Sequence, residues 1–103
     1  MTEKTEAVEG VYLNSLGAGS TIDLATKSRH YRIEHLEGNR IRISGHPLWC
    51  PEPTLARLCG SRGGSSGFAD SYIGCGMQLV FERLDDGVPV TTSKITNIRV
   101  IDR

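Results

Sequence analysis

The chain has 103 residues, among them twelve basic residues, twelve acidic residues and three cysteines. This length is typical of one domain, whose core is large enough to fold without a disulfide or a metal ion. The net charge of zero argues against the broad positive field with which many proteins bind nucleic acids or anionic membranes without specificity.

The N-terminal ten residues, MTEKTEAVEG, are polar and of mixed charge. They are predicted to form a mobile arm (1–10) that precedes a single small β domain over 11–103. They lack the basic start and apolar run of a secretory signal, and no stretch approaches the ~20 apolar residues of a membrane span. An odd number of cysteines without a close pair is typical of reduced thiols. We therefore expect a cytoplasmic protein without a membrane partner.

Alternation of apolar and polar residues, which is typical of strands, dominates the chain after this opening. A weak strand signal lies at 11–16 and a clear one at 20–26 (STIDLAT). In the second segment Ile22, Leu24 and Thr26 share one face, and their mostly β-branched side chains suit a pleated sheet.

The longest alternating segment is 29–45, RHYRIEHLEGNRIRISG, which predicts a hairpin. A three-residue loop at 37–39 places Ile33 opposite Ile43, whereas a two-residue loop would mix charged and apolar residues on one face. In the preferred register the apolar face holds Tyr31, Ile33, His35, Ile41 and Ile43. The other face holds Arg32, Glu34, Leu36, Arg40, Arg42 and Ser44.

The segment 46–76 interrupts this pattern with prolines, glycines and serines. A connection of this length needs some ordered structure of its own in a compact domain. Leu55 and Leu58 have helical spacing, so we predict one short helix over 52–59. The alternative is a further strand over 54–61.

The last third of the chain again predicts strands. Residues 77–84 (MQLVFERL) alternate, and Asp85-Asp86-Gly87 is a turn signal before a strand that begins near Pro89. Residues 92–95 are expected to form one 3₁₀ turn before a final strand at 97–101.

Together these elements predict an all-β fold. Five or six short strands with hairpin connections and one turn before the last strand resemble a small SH3-like barrel or roll. The resemblance covers about 20–101 and concerns architecture alone, because such folds carry many unrelated functions.

The leading functional prediction is a non-catalytic module that binds a protein partner or its own copy through the 46–76 segment. Tryptophan and other aromatic residues are enriched at the energetic centres of interfaces. The predicted partner-binding residues are Trp49, Phe68 and Arg62.

The first alternative is binding of single-stranded nucleic acid by the basic face of the 29–45 hairpin. Its candidate residues are Arg29, Arg32, Arg40 and Arg42. Glu34 interrupts this stripe, so nucleic acid is not the favoured partner.

The second alternative is a structural zinc site formed by His46, Cys50, Cys59 and Cys75. These residue types are zinc ligands, but their spacing differs from the common zinc motifs. No cofactor is predicted. We also expect no enzymatic activity, because Cys50 and His46 have no identifiable third partner for nucleophilic catalysis.

Overall fold

The alternating segments form strands, and the described part of the chain contains no α-helix. A computed structural model describes residues 4–48, 50–63 and 67–102. The strands are β1 (Lys4–Val8), β2 (Gly10–Tyr12), β3 (Thr21–Thr26), β4 (His30–Glu37), β5 (Arg40–Ser44), β6 (Thr54–Gly63), β7 (Gly67–Asp70), β8 (Tyr72–Gly74), β9 (Gln78–Arg83) and β10 (Pro89–Asp102). A single 3₁₀ turn, Leu13–Ser15, follows β2.

The hairpin of β4 and β5 has the predicted register, with Ile33 opposite Ile43. The loop itself is shorter than predicted. The chain turns over two residues with a φ of 57° at Gly38, and a register shift before Glu37 takes up the remaining residue. This bulge keeps the apolar side chains on the inner face, which is why the predicted register survives the different turn.

Six strands pair in a closed circuit. β3 pairs with β4, β4 with β5 and β5 with β6. β6 then pairs with β9, β9 with β10, and β10 with β3. All of these pairings are antiparallel. Each circuit strand therefore has a neighbour on both sides.

The long strand β10 closes this circuit because its two halves have different partners. Its first half pairs with β9 and its second half with β3. The predicted 3₁₀ turn at 92–95 is wrong, since the chain stays extended there. Two register shifts, one between Thr91 and Lys94 and one between Ile95 and Asn97, bend the strand instead.

The predicted helix at 52–59 is also wrong, and the alternative of a strand at 54–61 is confirmed. Buried Ala56 and Leu58 alternate with exposed Leu55 and Arg57. This alternation is typical of a strand, and β5 and β9 supply hydrogen-bonding partners for β6 on its two sides. The pairing outweighs the weak local helical spacing, since helical propensity yields readily to tertiary context.

The core lies on the inner faces of the circuit strands, and Leu13 of the 3₁₀ turn and Ile73 of β8 complete it. Its largest fully buried side chains are Phe81, Leu13, Ile22, Leu24, Ile33, Ile41, Ile43, Leu58, Ile73, Leu79, Ile95 and Ile98. His35 is buried among them. Its Nδ1 lies 3.3 Å from the Gly17 carbonyl oxygen and its Nε2 lies 2.9 Å from that of Gly38. The imidazole thus connects the loop before β3 to the turn between β4 and β5.

The N-terminal segment differs from the expected arm. The whole of β1 pairs with the second half of β10. β2 pairs with β8 in a separate two-stranded sheet. The rings of Tyr12 and Tyr72 meet in that small sheet with their centroids 4.8 Å apart. Residues 4–8 and 10–12 are therefore part of the sheet structure.

No helix in the described part of the chain has the length and hydropathy that crossing a membrane requires.

Candidate protein-binding surface

β7 is an edge strand: among the described residues it pairs with β6 alone. Immediately after it, the Ser71 N–H donates to the Cys59 carbonyl oxygen at 3.0 Å. Every second residue of an antiparallel strand bonds to the same neighbour. The backbone N–H and C=O groups of Phe68 and Asp70 are therefore directed away from β6, towards the open edge.

A glycine lets β7 approach β6 this closely. Gly60 has a φ of 149°, and a Cβ placed there would collide with the Ala69 carbonyl oxygen and lie 3.0 Å from the Phe68 ring. The Phe68 ring consequently rests over Gly60, and 47% of the residue stays exposed. The missing side chain at Gly60 positions the aromatic ring at the edge.

The end of β7 is anchored by Ser71, the single non-glycine residue with a positive φ among those described (56°). Its Oγ donates to Asn39 Oδ1 at 3.0 Å, and its carbonyl oxygen accepts from the Leu13 N–H at 2.8 Å. Non-glycine residues hold such a conformation only where the surroundings stabilise it. These hydrogen bonds fix the backbone at the end of β7.

A cavity of about 200 Å³ opens beside this edge. Its lining residues are Asn39, Arg57, Leu58, Cys59, Phe68 and Asp70. The Arg57 guanidinium lies 3.5 Å from the Glu82 carboxylate. The cavity wall thus combines a cation (Arg57), a carboxylate (Asp70) and an amide (Asn39) with the Phe68 ring. A cavity of this size and mixed chemistry can take one side chain of a bound polypeptide.

The structure brings together two of the three predicted partner-binding residues. Phe68 on β7 is directly opposite Arg62 on β6, and both are exposed. Trp49, the third, lies outside the described residues.

The four arginines of the nucleic-acid alternative are all exposed. Arg32 Nε lies 2.9 Å from Asp23 Oδ1 and Arg42 Nη1 lies 3.0 Å from Glu34 Oε1. The other two, Arg29 and Arg40, lie before β4 and at the start of β5. The carboxylates within the stripe reduce the positive field that a nucleic-acid backbone needs.

The residues of the zinc alternative occupy different environments. Cys50 is buried, Cys59 is partly exposed and Cys75 is exposed, and all three are free thiols. His46 Nδ1 accepts a hydrogen bond from the Leu48 N–H at 3.1 Å. Within the described ranges, no three His, Cys, Asp or Glu side chains gather as a metal site.

Burial also disfavours the thiolate form that zinc binding requires. It is the main cause that raises the pKa of Cys50 and of Cys59 above the usual thiol value. Burial, followed by the nearby Glu9 carboxylate, raises the pKa of Cys75.

Sequence reasoning missed most of this surface. Gly60, Asn39, Ser71 and Asp70 carry its geometry, yet Asn39 and Ser71 are 32 residues apart. The one available signal was the glycine in the middle of an alternating segment, which often indicates a close backbone approach. The predicted helix at 52–59 makes Gly60 a helix C-terminal glycine instead, which hides this signal.

Comparisons with models of protein families, with curated proteins and with solved structures give no match to this chain.

Proposed function

We propose that the chain is a non-catalytic protein-binding module that takes an extended segment of a partner protein as an added strand beside β7. The open edge of β7 carries this proposal. Backbone hydrogen bonds at such an edge supply affinity for a polypeptide of almost any sequence.

The neighbouring side chains supply a basis for selectivity. In strand addition, pockets beside the edge select alternate side chains of the added strand. Here the half-exposed Phe68 ring and the cavity beside it are available for that role. Asp70, at the same edge, favours a partner segment with a basic residue near that point.

The architecture that supports this surface is, in our proposal, a small SH3-like barrel. Its support is the closed circuit of six antiparallel pairings, which leaves β1, β2, β7 and β8 outside the circuit. The three free cysteines support a cytoplasmic location, because reduced thiols persist in reducing compartments.

The test replaces Asp70 with proline and, as a matched control, with alanine. Proline removes the outward-directed N–H, and edge strands tolerate it where that N–H makes no bond within the sheet. Alanine removes the same carboxylate but keeps the N–H. The wild-type chain is first used to select binders from a displayed library of random peptides long enough to form one strand.

We expect the selected peptides to bind Asp70→Pro roughly 5- to 10-fold more weakly than Asp70→Ala, the effect of one lost hydrogen bond. Circular dichroism of both variants checks that the fold is kept. If no peptide is enriched, or if the two variants bind equally well, strand addition at β7 is wrong.

A further inference from the structure

The open edge of β7 has free backbone groups at alternate positions. Ala69 is directly opposite Ser61 of β6, and its N–H and C=O groups are directed towards that strand. Those of Phe68 and Asp70 are directed outward. A strand that pairs antiparallel with β7 exchanges two hydrogen bonds with each outward residue. The edge therefore fits a second strand whose own free groups have the same spacing.

Two charged residues lie on one face of this edge. Arg62 is directly opposite Phe68 and Asp70 follows Phe68 by two residues, so the three side chains share a face. Both charged residues are exposed. Among the described residues neither of them takes part in an ion pair, whereas the Arg57 guanidinium at the adjoining cavity is held by Glu82. Arg62 and Asp70 are therefore available to another chain.

The Phe68 ring keeps these two charges apart within one chain. Gly60 is directly opposite Asp70, so Arg62, Phe68, Asp70 and Gly60 are the corners of a square on the two strands. The ring crosses from its own corner towards Gly60, where an added Cβ would lie 3.0 Å from Phe68 Cζ. It consequently lies between Arg62 and Asp70, which occupy the other two corners.

We infer that β7 pairs antiparallel with β7 of a second copy, about a two-fold axis at Ala69. Phe68 of each copy is then directly opposite Asp70 of the other copy. Each of these pairs exchanges two backbone hydrogen bonds, so the outward N–H and C=O groups of both residues are satisfied. The chain thus contains the strand that fits its own edge, which is the self-complementarity of an isologous interface.

The same register aligns Arg62 of each copy with Asp70 of the other. The row across the sheet is Arg62, Phe68 and then Asp70 of the second copy. The Cα atoms of the two charged residues are roughly 10 Å apart across this row, two strand spacings, and their extended side chains reach each other. The Phe68 ring leaves the row open because it turns towards Gly60. The result is an ion pair and its symmetry mate.

Charge also selects this register over its neighbours. An axis at Asp70 places the carboxylate directly opposite its own copy, and like charges in that position are destabilising. An axis at Phe68 places the two copies of Arg62 in one row and moves Asp70 out of it. Of these three registers, only the axis at Ala69 brings opposite charges into line.

The short strand limits the strength of the dimer. β7 has four residues, so the contact is smaller than the roughly 800 Å² per partner of a standard interface. We expect a reversible dimer with a Kd on the order of 100 µM. The inference rests on the proposed function in one respect, since both treat the β7 edge as the acceptor of a strand. A partner segment consequently has to displace the second copy.

The first experiment is sedimentation equilibrium of the full chain over a concentration series, under reducing conditions. We expect a shift from monomer to dimer as the concentration passes the Kd. A monomer at all concentrations up to about 2 mM, well above this Kd, overturns the inference.

The matched variants are Arg62→Glu at the edge and Arg29→Glu away from it. Both make the same change in net charge, and Arg29 is exposed and precedes β4, a strand that pairs with neither β6 nor β7. We expect Arg62→Glu to raise the dimer Kd at least ~10-fold and Arg29→Glu to leave it unchanged. A dimer that resists Arg62→Glu, or that both variants weaken equally, overturns the inference.

Mixing two variants tests the two-fold arrangement. Arg62→Glu and Asp70→Arg each place like charges in both rows of their own homodimer, so each alone is expected to be monomeric. In a mixture, one copy of each restores opposite charges in both rows, and a heterodimer of near wild-type affinity should form. Circular dichroism checks that each variant is folded. Two folded variants that do not associate overturn the inference.

Peptide binding separates this inference from the proposed function. The monomeric Arg62→Glu variant keeps the β7 backbone, so the peptides selected for the proposed function should bind it at least as tightly as they bind the wild-type chain. Peptide binding by a chain that never dimerises overturns this inference and leaves the proposed function standing. A dimer with the expected charge dependence but without any selected peptide overturns the proposed function instead.

Discussion

The three cysteines show how residues of one type acquire different chemistry from their surroundings. Cys50 has no exposed surface, and its backbone is held in the 45–50 loop by the Gly45 N–H and the His46 carbonyl oxygen, at 2.9 and 3.1 Å. Cys75 is exposed, and Cys59 lies between these extremes. Because burial raises the pKa of the Cys50 thiol, its folded pKa exceeds its unfolded pKa near 9.0. The buried, protonated Cys50 thiol therefore contributes to folding stability below about pH 9.0. This contribution is lost as the pH rises through the folded pKa.

We predict that alkylation of the native protein proceeds in the order Cys75, Cys59, Cys50. Cys50 should react on the order of 100-fold more slowly than in the unfolded chain, because the reagent reaches it only after local opening. Peptide mass spectrometry after timed exposure to iodoacetamide measures the three rates. In urea the rates should become similar, and rapid alkylation of native Cys50 would contradict the buried position.

At the scale of elements, β6 is the strand on which the candidate surface depends. It pairs with β5, β9 and β7, more partners than a regular strand has, because different parts of its ten residues face different neighbours. Gly60 lies where the pairing with β7 begins. The absence of a side chain there permits the close approach of the Ala69 carbonyl group.

We predict that Gly60→Ala destabilises the protein by at least ~2 kcal/mol, from backbone strain and a collision with the main chain. Gly87→Ala is the control: its φ of 69° is also positive, but nothing lies within 4 Å of an added Cβ. Strain alone should cost it about 1 kcal/mol. Urea denaturation followed by circular dichroism measures the free energy of unfolding of both variants. Equal losses of stability would contradict the close approach of β7 to β6 at Gly60.

At the scale of the whole molecule, one core is shared by all six strands of the circuit. The buried residues of β3, β4, β5, β6, β9 and β10 form a single hydrophobic cluster. Apolar burial of this kind is the main stabilising contribution in a domain of this size, and within the described residues no three His, Cys, Asp or Glu side chains gather as a metal site. Stability should therefore come from apolar burial and the closed pattern of strand pairing.

We predict that an excess of chelator changes the thermal midpoint of the reduced protein by less than about 1 °C, well below the shift that loss of ~1 kcal/mol would cause. Differential scanning calorimetry with and without the chelator measures this. A large downward shift would return His46 and the cysteines to consideration as zinc ligands.

Local alternation predicts β3, β4, β5 and β9 and the faces of these strands. In the β4–β5 hairpin it also determined the partner, because a short turn leaves few registers and one of them gathers Ile33 and Ile43 on the same face. The residue types of Phe68 and Arg62 predict a binding role, whereas their position opposite each other depends on the β6–β7 ladder.

Only the tertiary structure decided which distant strands pair. The pattern of β6 suits several partners, and it became a strand rather than a helix because β5 and β9 lie on either side of it. In the same way, β10 stays extended because its two halves have different neighbours. Side-chain alternation is a local property of the chain, whereas strand pairing depends on segments far apart in sequence, and one strand alone does not specify its neighbour.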